Sequence, residues 1–454
     1  MAEEKKIQLP YLPQGEYYED FVAALLCAGG YYIEKRIDLR APINILELDL
    51  VTSKYDSKKV DKTLCEIKSG EWGFPDIFKV KGWMDFLQLQ KASFVCLNNK
   101  KADFTKKQEV AKTLNIDLVE IIIEEKNIKE KSLLEAYEIK ISDEKLYTSA
   151  ASAIRFALSC ERIMITQYFK PLAKNPNAPS SYKYTDSFLY TVCEQSFFQH
   201  DAHERIKEVF GAFTKYQNLT TRMDKEMKPG EYPNEDHTTL SSESFKELFY
   251  KCPPTKSPLH IALYAELMCR MIILQLCVEE SFRNNDLKNI VNTLKNLSLP
   301  NNIKAGIDLL KKDHNYYYLY PHFWQIFIYV FGGFILKEKE KEEYKMLSVL
   351  TNIPPEEIPK ALEAFDVLFP LKENKSWLYT TNSNITILQF MPLQLSGVGA
   401  NFRRFIHMKG DKQITYEDLG KYYEFQSQYT LGDLIKYNNL LVEYLHLDKN
   451  IQQH

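Results

Sequence analysis

The chain has 454 residues, 45% of them apolar and 26% charged, with a formal net charge of -3. Those proportions exclude disordered, collagenous and coiled-coil classes, and at roughly 100–200 residues per domain they predict two to four domains. Residues 1–145 carry 23 Lys and Arg against 26 Asp and Glu while the remainder balances, so any grip on nucleic acid has to come from a local patch.

The first 125 or so residues alternate helix and strand. Gly15–Ala28 reads as an amphipathic helix whose apolar stripe is Tyr18, Phe21, Val22, Leu25 and Leu26, closed by Gly29-Gly30. Strands are expected at Tyr31–Ile37, Ile45–Ser53 and Lys62–Lys68, the last two forming a hairpin around Lys54–Asp61. A helix at Asp76–Lys91, a strand at Ser93–Leu97, a helix at Thr105–Leu114 and a strand at Asp117–Ile123 follow. The order αβββαβαβ predicts an α/β sandwich.

From about Ser132 the apolar period becomes mostly helical, with turn-rich breaks at Pro171–Pro179, Lys228–Asn234 and Cys252–Pro258. The expected organisation is an α/β domain over 1–130, an α-helical domain over 131–338 and a helical C-terminal region over 339–454. In the last, helices at Tyr344–Asn352 and Pro355–Phe369 precede strands at Ser376–Thr380 and Asn384–Phe390, an order resembling a winged-helix unit. Its second helix offers only Lys360 as a basic side chain, so packing against protein is the expected use. The charged run Lys337–Lys345 reads as a solvated helix start.

Tyr316–Leu336 is a run without Asp, Glu, Lys or Arg, long enough to cross a bilayer. It also holds Pro321, His322, Gln325 and Gly332-Gly333, and a buried helix is the expectation. The run Leu259–Val278 carries Glu266 and Arg270 at i, i+4, which suits a core helix with an internal ion pair. None of the eight cysteines forms a CxxC pair and several lie inside apolar runs, as Cys27 and Cys96 do. Reduced, buried thiols and an N-terminus without an apolar signal region lead us to expect a cytoplasmic protein. His200 and His203 lack further ligands at metal-binding spacing, no GxxxxGK[ST] loop occurs, and Arg403-Arg404 with His407 and Lys409 suits a solvated face.

The chemistry is expected on the hairpin. Strand alternation puts Glu47 and Asp49 on one face against Leu46, Leu48 and Leu50, and Glu66 and Lys68 together against Cys65 and Ile67. Pairing of the two strands then brings Asp49, Glu66 and Lys68 to one end of the sheet. Adjacent carboxylates disfavour joint ionisation, and a hard divalent cation such as Mg2+ relieves the conflict. Lys68 beside such a cation is suited to orienting a water or offsetting charge that builds on phosphorus, and Glu19 on the preceding helix adds an outer ligand. The bland alternative is a salt-bridged cluster at a sheet rim.

Gly15-x-x-x-Glu19, Glu47-Leu48-Asp49 and Glu66-Ile67-Lys68-Ser69-Gly70 together resemble the PD-(D/E)XK nuclease superfamily over roughly the first quarter to third of the chain. The resemblance implies that Asp49, Glu66 and the Ile67 carbonyl bind Mg2+, with Mn2+ able to substitute. It implies that Lys68 serves the water and that Glu19 assists at an outer position or a second metal. Leu48 stands where the motif name has proline. The implied activity is endonucleolytic phosphodiester hydrolysis, on DNA sooner than RNA, in an antiviral defence or restriction system. A homo-oligomer whose helical region binds a protein partner or activating ligand fits the same picture, and a membrane partner does not. The competing reading is an inert nuclease-like subunit that binds nucleic acid or scaffolds a complex.

Overall fold

The computed structural model describes residues 14–40, 46–97, 104–124, 127–163, 174–177, 190–199, 201, 204–209, 211–212, 268–269, 271–279, 282, 315–331, 334–336, 340–368, 377–380 and 386–389. It opens with α1 (Glu16–Ala28), β1 (Tyr32–Leu39), β2 (Leu46–Tyr55), β3 (Val60–Lys68), α2 (Phe74–Leu87), β4 (Lys91–Leu97), α3 (Phe104–Thr113) and β5 (Ile116–Glu124). A short β6 (Asn127–Lys129) completes a mixed sheet of order β1-β2-β3-β4-β5-β6. The β1–β2, β2–β3 and β5–β6 pairs are antiparallel, and β3–β4 and β4–β5 are parallel. The parallel steps follow from the chain, because each needs a crossover helix and α2 and α3 supply them.

Two apolar clusters sandwich the sheet. Leu64, Phe94, Ile116 and Leu118 pack with Ile77, Val80 and Met84 of α2 and Ala111 of α3. On the opposite face Leu50, Cys65, Ile67, Val95 and Val119 pack with the buried side of α1. Successive residues of β3 therefore enter opposite layers, which leaves Glu66 and Lys68 on the α2 side. The β2–β3 turn is tighter than Lys54–Asp61, since Asp56 closes it by accepting the backbone N–H groups of Lys58 and Lys59 at 2.7 and 3.0 Å. Helix α2 stops at Gln88, whose φ is 56°, rather than running to Lys91, and β4 begins there.

The apolar period changes near residue 130, yet the core does not stop there. After α4 (Lys131–Ala136), helix α5 (Glu144–Ile163) lays Leu146, Ala150, Ile154 and Leu158 into the same cluster as α1. The run Tyr316–Leu336 is not one helix. Its described parts are a 3-10 turn at Tyr317–Leu319, α6 (Tyr320–Tyr329), buried along its length, and β7 (Phe334–Leu336). Among the described residues no helix is long and apolar enough to cross a membrane.

Helix α6 is clipped onto the N-terminal unit by its polar side chains. Gln325 accepts the Ile33 N–H at 2.9 Å and donates to the Ile33 carbonyl at 2.7 Å, meeting both backbone groups on the outer side of edge strand β1. His322 Nε2 lies 2.8 Å from the Cys27 carbonyl, and burial pushes its imidazole down to about 4, so the ring is neutral and donates there. Beyond β7 come α7 (Glu340–Thr351), α8 (Ile358–Leu368), β8 (Trp377–Thr380) and β9 (Thr386–Gln389), with the strands ordered β7-β9-β8. The charged run at Lys337–Lys345 reaches into the first turns of α7. The six cysteines among the described residues are free, and all but Cys193 are buried.

Candidate active site

The β2–β3 ladder runs from Tyr55↔Val60 to Leu50↔Cys65 and ends there. Below that point β2 pairs only with β1, and Glu66, Ile67 and Lys68 pair only with β4. The sheet forks, and Asp49 and Glu66 are the first residue on each prong. The fork leaves the Ile67 N–H without a strand partner on the β2 side, and Asp49 Oδ2 accepts it at 2.8 Å. In a strand the N–H and C=O of one residue point the same way, so the Ile67 carbonyl also borders the gap.

A kink accompanies the fork. The β1–β2 register skips the facing pair Arg36 and Asp49, and Arg36 has a φ of 52°. Alternation reverses across it: Leu46 and Leu48 belong to the α2-side cluster, whereas Leu50 belongs to the α1-side cluster. The expected single face for Leu46, Leu48 and Leu50 is therefore corrected. Left-handed backbone at a non-glycine residue is strained, and it persists where surrounding contacts over-determine it.

Four anchors set the positions of the site residues. Lys68 Nζ stands 2.6 Å from Glu66 Oε1, and Lys79 of α2 stands 3.8 Å from the same oxygen. Ser69, next after Lys68, accepts the Gly15 N–H at 2.8 Å and so ties the end of β3 to the start of α1. One turn along α1, Glu19 faces Arg36, with Oε2 4.0 Å from Nε. Glu66 itself is buried, and its Oε2 has no hydrogen-bond partner among the described residues.

The electrostatics follow from this crowding. Burial foremost, then the charges of Glu66 and Glu19, push the Asp49 carboxyl up to about 8, against the Ile67 N–H and Lys68, which favour its ionised form. Burial likewise raises Glu19, with Arg36 and Lys68 pulling it down and Glu16 and Glu47 pushing it up. For Lys68 burial acts to lower the value, but the hydrogen bond to Glu66 and the charges of Glu66 and Asp49 outweigh it, and the ammonium is held above its ordinary range.

The structure thus gathers Asp49, Glu66 and Lys68 at the fork, with Glu19 acting on them through its charge from the α1 side. Among the described residues no group of three or more His, Cys, Asp and Glu side chains is arranged to hold a metal ion. The donor chemistry nonetheless fits a hard cation, since the Asp49 carboxyl feels the Glu66 charge and one Glu66 oxygen is buried without a hydrogen-bond partner. His200, His203, Glu266, Arg270 and the Arg403–Lys409 cluster lie outside the described residues.

Sequence reasoning missed Arg36 and the acidic and basic side chains behind it. Asp20, fully buried on α1, ion-pairs with Arg36 and accepts from Ser159 Oγ and Arg162 Nε of α5, each at 3.0 Å. Arg162 also reaches Glu16 at 3.0 Å, and Lys35 ion-pairs with Glu161. Nothing local in the sequence announces partners so distant along the chain. Comparison of the chain with protein-family models, with curated proteins and with solved structures finds no match.

Proposed function

We propose that the chain is a metal-dependent nuclease of the PD-(D/E)XK kind, hydrolysing phosphodiester bonds at the β2–β3 fork. The observation that carries this reading is Glu66 with a buried, unpartnered carboxylate oxygen beside an Asp49 carboxyl pushed up to about 8. A finished structural salt bridge satisfies both oxygens of its acid and holds its carboxyls ionised. Here Glu66 Oε2 is left without a partner and the Asp49 carboxyl keeps its proton, which is the arrangement expected of a carboxylate pair built for a further positive charge.

Asp49, Glu66 and the Ile67 carbonyl would hold Mg2+ or Mn2+, with Glu19 as an outer ligand or beside a second ion. When bound, such an ion supplies Lewis-acid charge at the phosphoryl oxygen and a more acidic water. Asp49 must release its proton to take part, so cation affinity rises with pH through about 8. Lys68, held as an ammonium against Glu66, is a donor and not a base in this state. It is placed to orient the attacking water and to offset charge that accumulates on the phosphoryl oxygens. Ser69 positions Lys68 relative to Glu19 by binding Gly15, the residue just before the helix that bears Glu19.

The helical remainder is read, by family analogy, as the part that restrains the nuclease and senses a signal in a defence or restriction system. Helices α7 and α8 followed by the antiparallel β8–β9 pair have the order of a winged-helix unit. Its exposed α8 positions include Pro359 and Glu363, and Lys360 is paired with Glu357, so the unit is read as packing on protein and not as reading bases.

The test is cleavage of plasmid and oligonucleotide substrates with Mg2+ or Mn2+. Wild-type protein is expected to cut, a chelator to stop it, and Lys68→Ala to lose on the order of 100- to 1,000-fold in rate. Equal cutting by both proteins would remove the site assignment. An inactive wild type that shows no divalent-ion binding by calorimetry would leave the inert-subunit reading in its place.

A further inference from the structure

The strand that leaves Lys68 leads into α2, and the outer face of α2 carries a row of aromatic rings. Phe74, Phe78, Gly82 and Phe86 stand at successive i, i+4 positions, about 6 Å apart along the axis. Phe78 and Phe86, 57% and 47% exposed, are the two most exposed large apolar side chains among the described residues. Two half-exposed Phe rings on one ridge leave apolar area in water and mark a surface that meets something. Phe78 has the Phe74 ring 6.4 Å away, and Phe86 has Phe198 at 6.3 Å.

Gly82 interrupts the ridge. A glycine inside a helix is destabilising relative to alanine, and a Cβ at this position would meet no atom within 4 Å. Core packing does not explain it. Its effect is a bare notch between Phe78 and Phe86.

Cations lie over the neighbouring tryptophans. Lys79 Nζ lies 4.0 Å from the Trp83 ring centroid and 3.8 Å from Glu66 Oε1, so one side chain links the aromatic face to the active site. Lys107 of α3 lies 4.6 Å from the centroid of Trp72, in the loop just after Lys68. Residues 68–112 hold nine lysines against five acids, a local charge of +4 in a chain whose total is -3. The segment that carries α2 and α3 is thus basic in sequence, as the overall composition demanded of any nucleic-acid binder.

We propose that the α2 ridge is a stacking platform for an unpaired nucleic-acid strand, which it feeds into the fork at Asp49, Glu66 and Lys68. Exposed aromatic faces interleaved with lysines match flipped-out bases on a phosphate backbone, since every base has a π-face and stacking needs no sequence. A duplex hides those faces within its own stack and offers only edges and phosphates, which a row of Phe rings cannot use. The proposal rests on the nuclease reading for the destination of the strand, but binding to the ridge does not depend on cleavage.

The two are separated by measuring binding without metal. Fluorescence anisotropy in EDTA would follow labelled single-stranded DNA, single-stranded RNA of the same sequence and the corresponding duplex. Wild-type protein is expected to prefer a single strand, and which of the two sugars binds tighter identifies the substrate. Phe78→Ala is expected to weaken the preferred strand by on the order of tenfold, with Phe78→Trp restoring it. Gly82→Leu is expected to weaken it while leaving the melting temperature unchanged or higher. Duplex binding at least as tight as single-strand binding, or Phe78→Ala with wild-type affinity, overturns the proposal. So does Phe78-dependent self-association in sedimentation without single-strand affinity, which would assign the ridge to a second copy of the chain. If Lys68→Ala cuts like wild type while Phe78→Ala still loses single-strand affinity, the catalytic reading falls and the platform stands.

Discussion

Two adjacent residues of α1 face two charge clusters of different character. Asp20 is buried among Arg36, Ser159 and Arg162, and both its oxygens have partners. Glu19 looks toward a fork where Glu66 keeps an unpartnered oxygen and Asp49 holds its proton to about 8. In the first cluster the acid is satisfied at both oxygens, and it joins α1 to α5. The second is incomplete, and a protein that keeps carboxylates in that condition gains nothing for its stability from doing so.

That contrast sets the order of the tests. Asp20→Ala should do the most damage to folding, because it removes the one fully buried carboxylate that Arg36 and Arg162 share, leaving them Glu19 at 4.0 Å and Glu16 at 3.0 Å. We expect a loss of about 3–5 kcal/mol in urea unfolding, or no folded protein at all. Lys68→Ala should do the reverse, costing on the order of 100-fold or more in cleavage while lowering stability less than Asp20→Ala does, because Lys79 stays 3.8 Å from Glu66. A Lys68 variant that melts far below wild type would place both clusters in the structural class.

Smaller effects sharpen the comparison. Gln325→Leu leaves the Ile33 N–H and C=O without their partner and should cost about 1–3 kcal/mol, read from the same urea transition. The pH dependence of the metal-free protein separates two groups by sign. Asp49 has a folded value raised above its unfolded one, so the folded state binds the extra proton, and stability should fall as pH rises from about 4 to about 8. Asp49→Asn should flatten that slope and raise the melting temperature at pH 8 more than at pH 5. His322, lowered to about 4, gives the opposite slope: stability is lost as pH falls from about 6.5 to about 4.

Much of the N-terminal unit was legible in advance. Short apolar runs announced β1 to β5, with alternation read in β2 and β3, the 3.6-residue stripe announced α1, and the order of elements is the one observed. The site residues were legible because Glu66 and Lys68 share a strand face whatever the rest of the chain does. The kink at Arg36 and Asp49 was not, since ILELDL alternates without a break through the very point where the faces exchange. The end of α2 was misplaced because Leu87 and Leu89 continue the apolar spacing, while the stop is made by Gln88 in a conformation that glycine or asparagine more often signals. Arg162, far along the chain from Asp20, is invisible to any local reading. The run Tyr316–Leu336 looked like one segment because hydropathy does not separate a buried helix from the strand that follows it.

The grip of Gln325 on Ile33 has a consequence for assembly. An enzyme that severs both strands of a duplex commonly works as a pair, and joining two sheets side by side is an inexpensive way to make one. Here the rim next to β1 is already occupied at Ile33 by an amide from the chain's own later half. A second copy that paired edge to edge with β1 would therefore have to displace Gln325 from both backbone groups of Ile33.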